Sequence, residues 1–305
     1  MRTIVLGTGG VGGYFGGLMA RAGQNVGFVA RGPHLQALRS HGLQVRSARS
    51  GDFHVEVRAA EDPAELGEAD LVLFCVKSYD TVSAARTLLP VIRPETAVIS
   101  LQNGVDNEEA IDAVLGSGHV MGGVAYVEST ITEPGAVAQM SGPCRLAFGE
   151  LNGDRSERAR IIDDEFRSAG IDAVWADDIM QTLWLKFMFI SAMAGLTTLT
   201  GQSIGPIVQC AESAAVLQSV IEEVAAVGRA AGVNLPDTSI EQTFQMAVSA
   251  PVTMKSSMQR DMERGRAIEV DALNGAVVRL GARYGVATPV NSTIYGCIKL
   301  MAAQR

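Results

Sequence analysis

The chain has 305 residues, of which 47% are hydrophobic and 19% charged, with a formal net charge of −8 and a pI near 5.1. This composition excludes a disordered chain and supplies enough apolar residues for a substantial core. No Lys/Arg block stands out, which argues against nucleic acid and membrane partners, and an anionic small molecule would need local cations because the overall field repels it.

In chain order, "TIVLG" (3–7) reads as a short buried strand and "GGYFGGLMARAG" (12–23) as a helix of small residues. "NVGFVAR" (25–31) is a second strand and "HLQALRSHG" (34–42) a second helix, with further strands at "ADLVLFCVK" (69–77), "AVISLQNG" (97–104) and "VMGGVAYVE" (120–128). "GAVAQM" (135–140) and "CRLAFGE" (144–150) read as a closing hairpin. Such alternation predicts a parallel sheet with helices on its faces. After about residue 177 the pattern becomes long and helical, with breakers at Gly201, Gly205–Pro206, Gly232, Pro236, Pro251, Gly265 and Gly285. The expected fold class is therefore α/β: a Rossmann-type doubly wound parallel sheet over 1–177, followed by an all-α helical domain over 178–305.

The four cysteines, Cys75, Cys144, Cys210 and Cys297, form no CxxC pair. That pattern predicts no metal site and no redox pair, and it fits a reduced, cytoplasmic protein. The N-terminus turns glycine-rich too soon for a signal peptide. The apolar run at 187–199 is interrupted by Ser191, Gly195, Thr197 and Thr198, and it falls short of the roughly 20 residues that span a bilayer.

"GTGGVG" (7–12) fits G-x-G-x-x-G directly after the first strand. Gly7 suits the tight turn, Gly9 a close approach to a pyrophosphate, and Gly12 the packing of helix on sheet, while the helix N-terminus offers N–H groups to phosphate. The second strand ends at Arg31, where an NAD enzyme usually places an acidic residue for the ribose hydroxyls. A guanidinium suits a 2′-phosphate, which favours NADP(H) over NAD(H). Lys77, ending "LFCVK", is a second cation near the cofactor. Asn103, in "LQNG", stands at the carboxyl end of another strand, where it could face a nicotinamide ribose or simply form an Asn-Gly turn.

All four histidines (His34, His41, His54, His119) lie in the first domain, so a dehydrogenase using a histidine from its second domain is excluded. The remaining candidate is Lys186, the one charged residue between Ile179 and Ala211. It either snorkels from a helix edge or faces a cleft. In the second case apolar surroundings lower its pKa towards the range useful to an acid–base catalyst. In "SSMQRDMERGRAIEVDALNG" (256–275), Ser257 could donate to a carboxylate, and Glu269 could pair with Lys186 or accept from a substrate hydroxyl; caps and surface residues are the plainer reading of that spacing.

With "GTGGVG", "FVAR", "VKSYD", "SLQNG", "WLKF…LTTLTG" and "SSMQRD…GRAIEVDALNG" taken together, nearly the whole chain resembles the ketopantoate reductase (2-dehydropantoate 2-reductase) family. The resemblance implies a cytoplasmic oxidoreductase of pantothenate biosynthesis that reduces a 2-oxo acid with NADPH. It implies Lys186 as proton donor, Asn103 between nicotinamide and substrate, and Ser257 and Glu269 lining the active site. The nucleotide site would comprise Gly7, Thr8, Gly9, Gly10, Val11 and Gly12 with Arg31, Lys77, Asn103 and Val127. Cofactor and substrate would meet at the junction of the two domains, and the helical domain could form a homodimer. One departure stands out. The family's usual asparagines four and eight residues after the lysine are here Ile190 and Ala194, which predicts a more apolar 2-oxo acid, or different contacts to ketopantoate. Ser191, Thr197 and Thr198 are the candidates for compensation. A β-hydroxyacid dehydrogenase is a rival, although the chain lacks that group's G-x-S-G-G segment. A non-enzymatic NADPH sensor is another, and it would need Arg31 and the glycine loop but not Lys186, Ser257 and Glu269 together.

Overall fold

A computed structural model describes residues 1–304 of the chain. Two compact units emerge: Met1–Gln102 with Asn107–Ile179, and Asn103–Asp106 with Met180–Arg305.

The first unit runs β1 (Arg2–Leu6), α1 (Gly10–Arg21), β2 (Asn25–Val29), α2 (Gly32–His41), β3 (Leu43–Ser47), β4 (Phe53–Val55), β5 (Arg58–Ala60), β6 (Leu71–Phe74), α3 (Thr81–Leu88), β7 (Ala97–Ser100), α4 (Asn107–Leu115), β8 (Val120–Glu133), β9 (Ala136–Glu150), α5 (Glu157–Ser168) and β10 (Ala173–Trp175). The sheet order is β4-β3-β9-β8-β7-β6-β1-β2-β5, with β10 beside β9. From β5 to β8 every neighbour pair is parallel. Side chains alternate across a strand, and here the alternation divides two cores. Val5, Leu71, Leu73 and Ile99 join the cluster that holds Phe15 and Leu18 of α1, Leu35 and Leu38 of α2, and Ile162 and Phe166 of α5. Ile4, Leu6, Val72, Phe74 and Val98 join the other, with Ala85 and Leu88 of α3 and Ile111 of α4. Both faces are buried, as a doubly wound sheet requires.

The predicted hairpin of 135–140 with 144–150 is corrected. Residues 136–150 form one strand, β9, whose antiparallel partner is β8. "SGP" reads as a break, but it is accommodated within the strand, where the register shifts between Val127 and Ser129. The true turn lies at Gly135, which has a φ of 80°. The two ends of β9 then take different neighbours on its other edge, β3 at Ala136–Gln139 and β10 at Leu146–Phe148.

The second unit holds α6 (Ile179–Thr200), α7 (Ile204–Gln209), α8 (Ala211–Ala230), α9 (Ser239–Val248), α10 (Ser257–Glu263), α11 (Asn274–Tyr284) and α12 (Pro289–Ala303). α8 packs against α7, α9, α11 and α12. Gly228 of α8 lies against the Trp184 ring of α6, where an added Cβ would come within 2.7 Å. Glu223 of α8 accepts from the backbone N–H groups of Val290 (2.8 Å) and Asn291 (2.9 Å), and so caps α12. Asn274 then links α12 to α6, donating to Asn291 Oδ1 (2.9 Å) and to the Ser191 carbonyl (3.3 Å). By length and composition α6 could cross a membrane, yet 61% of its most apolar window is buried inside the protein.

Candidate active site

In the sheet unit the glycine loop joins β1 to α1. Gly7 has a φ of 97°, a conformation that L side chains rarely adopt, and its Cβ would lie 2.8 Å from the Val76 backbone nitrogen. The loop therefore backs onto the end of β6, one residue before Lys77. Thr8 is tied to the end of β2, its N–H (3.0 Å) and its Oγ1 (2.9 Å) both donating to the Val29 carbonyl. Arg31 follows two residues later as an exposed residue at the start of α2. A Cβ on Gly10 would come 2.3 Å from the Ser129 carbonyl, and one on Gly12 2.4 Å from that of Gly7. At Gly9 an added Cβ meets nothing within 4 Å, and Gly9 provides no side-chain cap to α1. The cradle is thus closed on three sides and open at Gly9, with first-turn N–H groups beyond it, which fits a pyrophosphate. Val127, on β8, packs against the sheet's core. Gln102 was not singled out from the sequence. It donates to the Val76 carbonyl (3.0 Å) and to Thr81 Oγ1 (2.9 Å), fastening the end of β7 to the segment that carries Lys77. Its only signal was its place beside Asn103.

The helical unit collects the acid–base candidates. Lys186 lies on α6 and is half-buried. Burial pushes its pKa down from 10.5 to about 8, opposed by the favourable charge of Glu269. Glu269 is itself buried, at 6% exposure, in the turn before α11. Asn103 belongs to the same unit, on a short segment that leaves β7 through Gly104, with a φ of 118°.

Ile190 and Ala194 follow Lys186 at helical spacing on one face of α6, the first partly exposed and the second buried. Of the three hydroxyls that could compensate, Thr197 Oγ1 is engaged with Ser256 Oγ at 2.9 Å. Ser191 Oγ and Thr198 Oγ1 are sealed from solvent. Of the two adjacent serines, Ser256 caps α10, accepting from Gln259 N–H at 3.0 Å, and Ser257 is exposed on the first helical turn. The sequence reading also passed over Asp106 and Arg279, which form an ion pair at 2.7 Å. Among the described residues no cluster of metal ligands is present.

Comparison with known proteins identifies the family. The family model described as ketopantoate reductase PanE/ApbA matches residues 3–153, and its C-terminal counterpart matches residues 178–302. The chain is 32% identical to the uncharacterized oxidoreductase YkpB of Bacillus subtilis, covering 100% of both chains. It is 30% identical to the 2-dehydropantoate 2-reductase of Mesorhizobium japonicum, over 100% of this chain and 99% of that one. A crystal structure of a PanE/ApbA family ketopantoate reductase from Ralstonia eutropha superposes with a TM-score of 0.92 at 35% identity, over 100% of this chain and 99% of that one. With a Rossmann-type sheet followed by helices, and with matches along nearly its whole length, this oxidoreductase belongs to the ketopantoate reductase family.

Proposed function

We propose that the protein reduces a 2-oxo acid, 2-dehydropantoate or a close relative, to the 2-hydroxy acid with NADPH. On this reading residues 1–177 bind the nucleotide and residues 178–305 supply the catalytic groups, in a cytoplasmic enzyme of pantothenate biosynthesis. The single observation that carries it is an ammonium whose pKa is pushed down to about 8 beside a buried carboxylate.

When bound, NADPH would supply the hydride that reduces the substrate's C2 carbonyl. The loop from Gly7 to Gly12 would hold the pyrophosphate, and Arg31 and Lys77 would meet the 2′-phosphate and neighbouring charge. Lys186 holds its proton on Nζ and gives it to the C2 oxygen as negative charge develops there. Glu269 keeps that proton in place by opposing the effect of burial. Asn103 orients the lysine or the ring, and Ser257 bonds the substrate carboxylate.

A second reading, reduction of a more apolar 2-oxo acid, is favoured by a specific observation. Ile190 and Ala194 give the face that follows Lys186 no hydrogen-bonding group, and the nearby hydroxyls are engaged or sealed. A site built to bond a substrate hydroxyl rejects analogues lacking it by about 10⁴-fold or more, and a face without such groups loses that preference.

The test is a panel of 2-oxo acids with NADPH and NADH, read by absorbance of the reduced nicotinamide. The expected result is turnover with NADPH preferred, and in Arg31→Ala a KM for NADPH raised by about 10-fold or more, with that for NADH little changed. A kcat/KM for ketopantoate far above those for branched-chain and aromatic 2-oxo acids would eliminate the second reading. No oxidation with any member of the panel would eliminate both.

A further inference from the structure

Building on that function, we propose that Arg279 is a positioning residue that locks Asn103 and Glu269 onto Lys186. On the proposed mechanism Glu269 serves the lysine and Asn103 the lysine or the ring, and the two arrive on separate segments. Asn103 lies on 103–106, four residues that belong to the helical unit although their flanking residues belong to the sheet unit. Glu269 lies in the turn before α11, its carbonyl accepting from Ala272 N–H (3.1 Å) and Leu273 N–H (3.2 Å).

Arg279, on α11, reaches both segments with one guanidinium. Nη2 donates to Asp106 Oδ2 at 2.7 Å, three residues after Asn103. Nη1 donates to the Asp271 carbonyl at 2.8 Å, two residues after Glu269. The fork is planar and rigid, so the two acceptors are held at a fixed separation. The Asp271 side of the clamp has its own anchor, because the Asp271 carboxylate receives Tyr295 Oη at 2.6 Å and Lys299 Nζ at 3.1 Å. On the Asp106 side, Arg279 is the one side-chain partner of the carboxylate among the described residues. Releasing the guanidinium therefore loosens the Asn103 segment most and leaves α11 intact.

The direction of a pH effect separates positioning from electrostatics acting through space. Removing the Arg279 cation and uncovering the Asp106 carboxylate would each favour a charged Lys186 and move the alkaline limb of kcat upward. Loss of Glu269 from its place does the reverse, because Glu269 is the group that raises the lysine's pKa. α6 contributes no other charge.

The experiment compares wild type, Arg279→Ala, Arg279→Lys and Asp106→Asn as full chains, with NADPH and the best 2-oxo acid of the panel. Expected are a kcat lowered roughly 10- to 100-fold in Arg279→Ala, an alkaline limb moved to lower pH, an unchanged NADPH dissociation constant and partial recovery in Arg279→Lys. An active wild type with Arg279→Ala turning over equally fast, or with its limb unmoved or moved upward, overturns the positioning role alone. A wild type inactive on every 2-oxo acid overturns the proposed function and this role with it. Should Arg279→Ala fail to fold, Asp106→Asn, which removes only one partly exposed ion pair, decides by kcat alone: a roughly 10- to 100-fold loss supports the role and a wild-type kcat overturns it, because loss of the carboxylate would by itself move the limb to lower pH.

Discussion

Replacing Lys186 and Glu269 together, as Lys186→Met with Glu269→Gln, should sharply lower turnover and make the protein harder to unfold. Displacing the lysine's pKa from 10.5 to about 8 corresponds to roughly 3 kcal/mol against the charged form in the folded state. Below pH 8 the folded lysine is protonated and the full penalty acts. Between about pH 8 and 10.5 the unfolded chain binds more protons than the folded one, so wild-type stability rises with pH across that window. Lys186→Met alone would leave Glu269 buried without the lysine's charge, and the double replacement avoids this. The expected gain at pH 7 is about 1–3 kcal/mol over wild type, shrinking as the pH rises from 8 to 10.5. Urea unfolding at several pH values measures it. In parallel, kcat should fall by roughly 10²- to 10⁴-fold, while wild-type kcat should decline as pH rises through about 8 because the acid loses its proton. A flat wild-type rate profile through pH 8, together with an unchanged urea midpoint in the double variant, would refute the reasoning.

The glycine loop offers a contrast between two neighbours. Gly9→Ala should keep the wild-type Tm but weaken NADPH binding, since its methyl enters open space above the loop; Gly10→Ala should lower the Tm as well, because its methyl would lie 2.3 Å from the Ser129 carbonyl. Thermal unfolding with a fluorescence titration of NADPH tells them apart, and equal effects on both properties would contradict the assignment. Gly195→Ala should destabilise by about 1–3 kcal/mol, because the new Cβ would meet the Asn274 amide at 2.8 Å; denaturant titration checks it, and a neutral result would mean that Asn274 can move.

Much of the sheet unit was legible because its signals are local. Short apolar strands, glycine turns and amphipathic helices alternate, and the loop at Gly7–Gly12 follows its strand as the motif demands. The length of β9 was not legible. Gly142 and Pro143 are turn formers by composition, yet β9 continues past them, with its pairing to β8 present at Gln139 and again at Cys144. Lys186 stood out because a charge in an apolar run conflicts with burial, and that conflict is a local signal too. Asp106 and Arg279 gave none. They are 173 positions apart, each is an ordinary polar residue beside a helix or on one, and their pairing exists only once the chain has folded. The sequence singled out Ser257, and the cap and the Thr197 bond made by its neighbour Ser256 gave no signal for the same reason.

The 22 residues of α6 carry a single charge, and the helices that pack in its unit are encoded after it. On the ribosome this segment emerges before α8, α11 and α12 exist to cover it, so it is a ready target for holdase chaperones. Truncations ending between residues 200 and 211 should therefore accumulate in aggregates or be degraded, even though the upstream sheet carries its own cores.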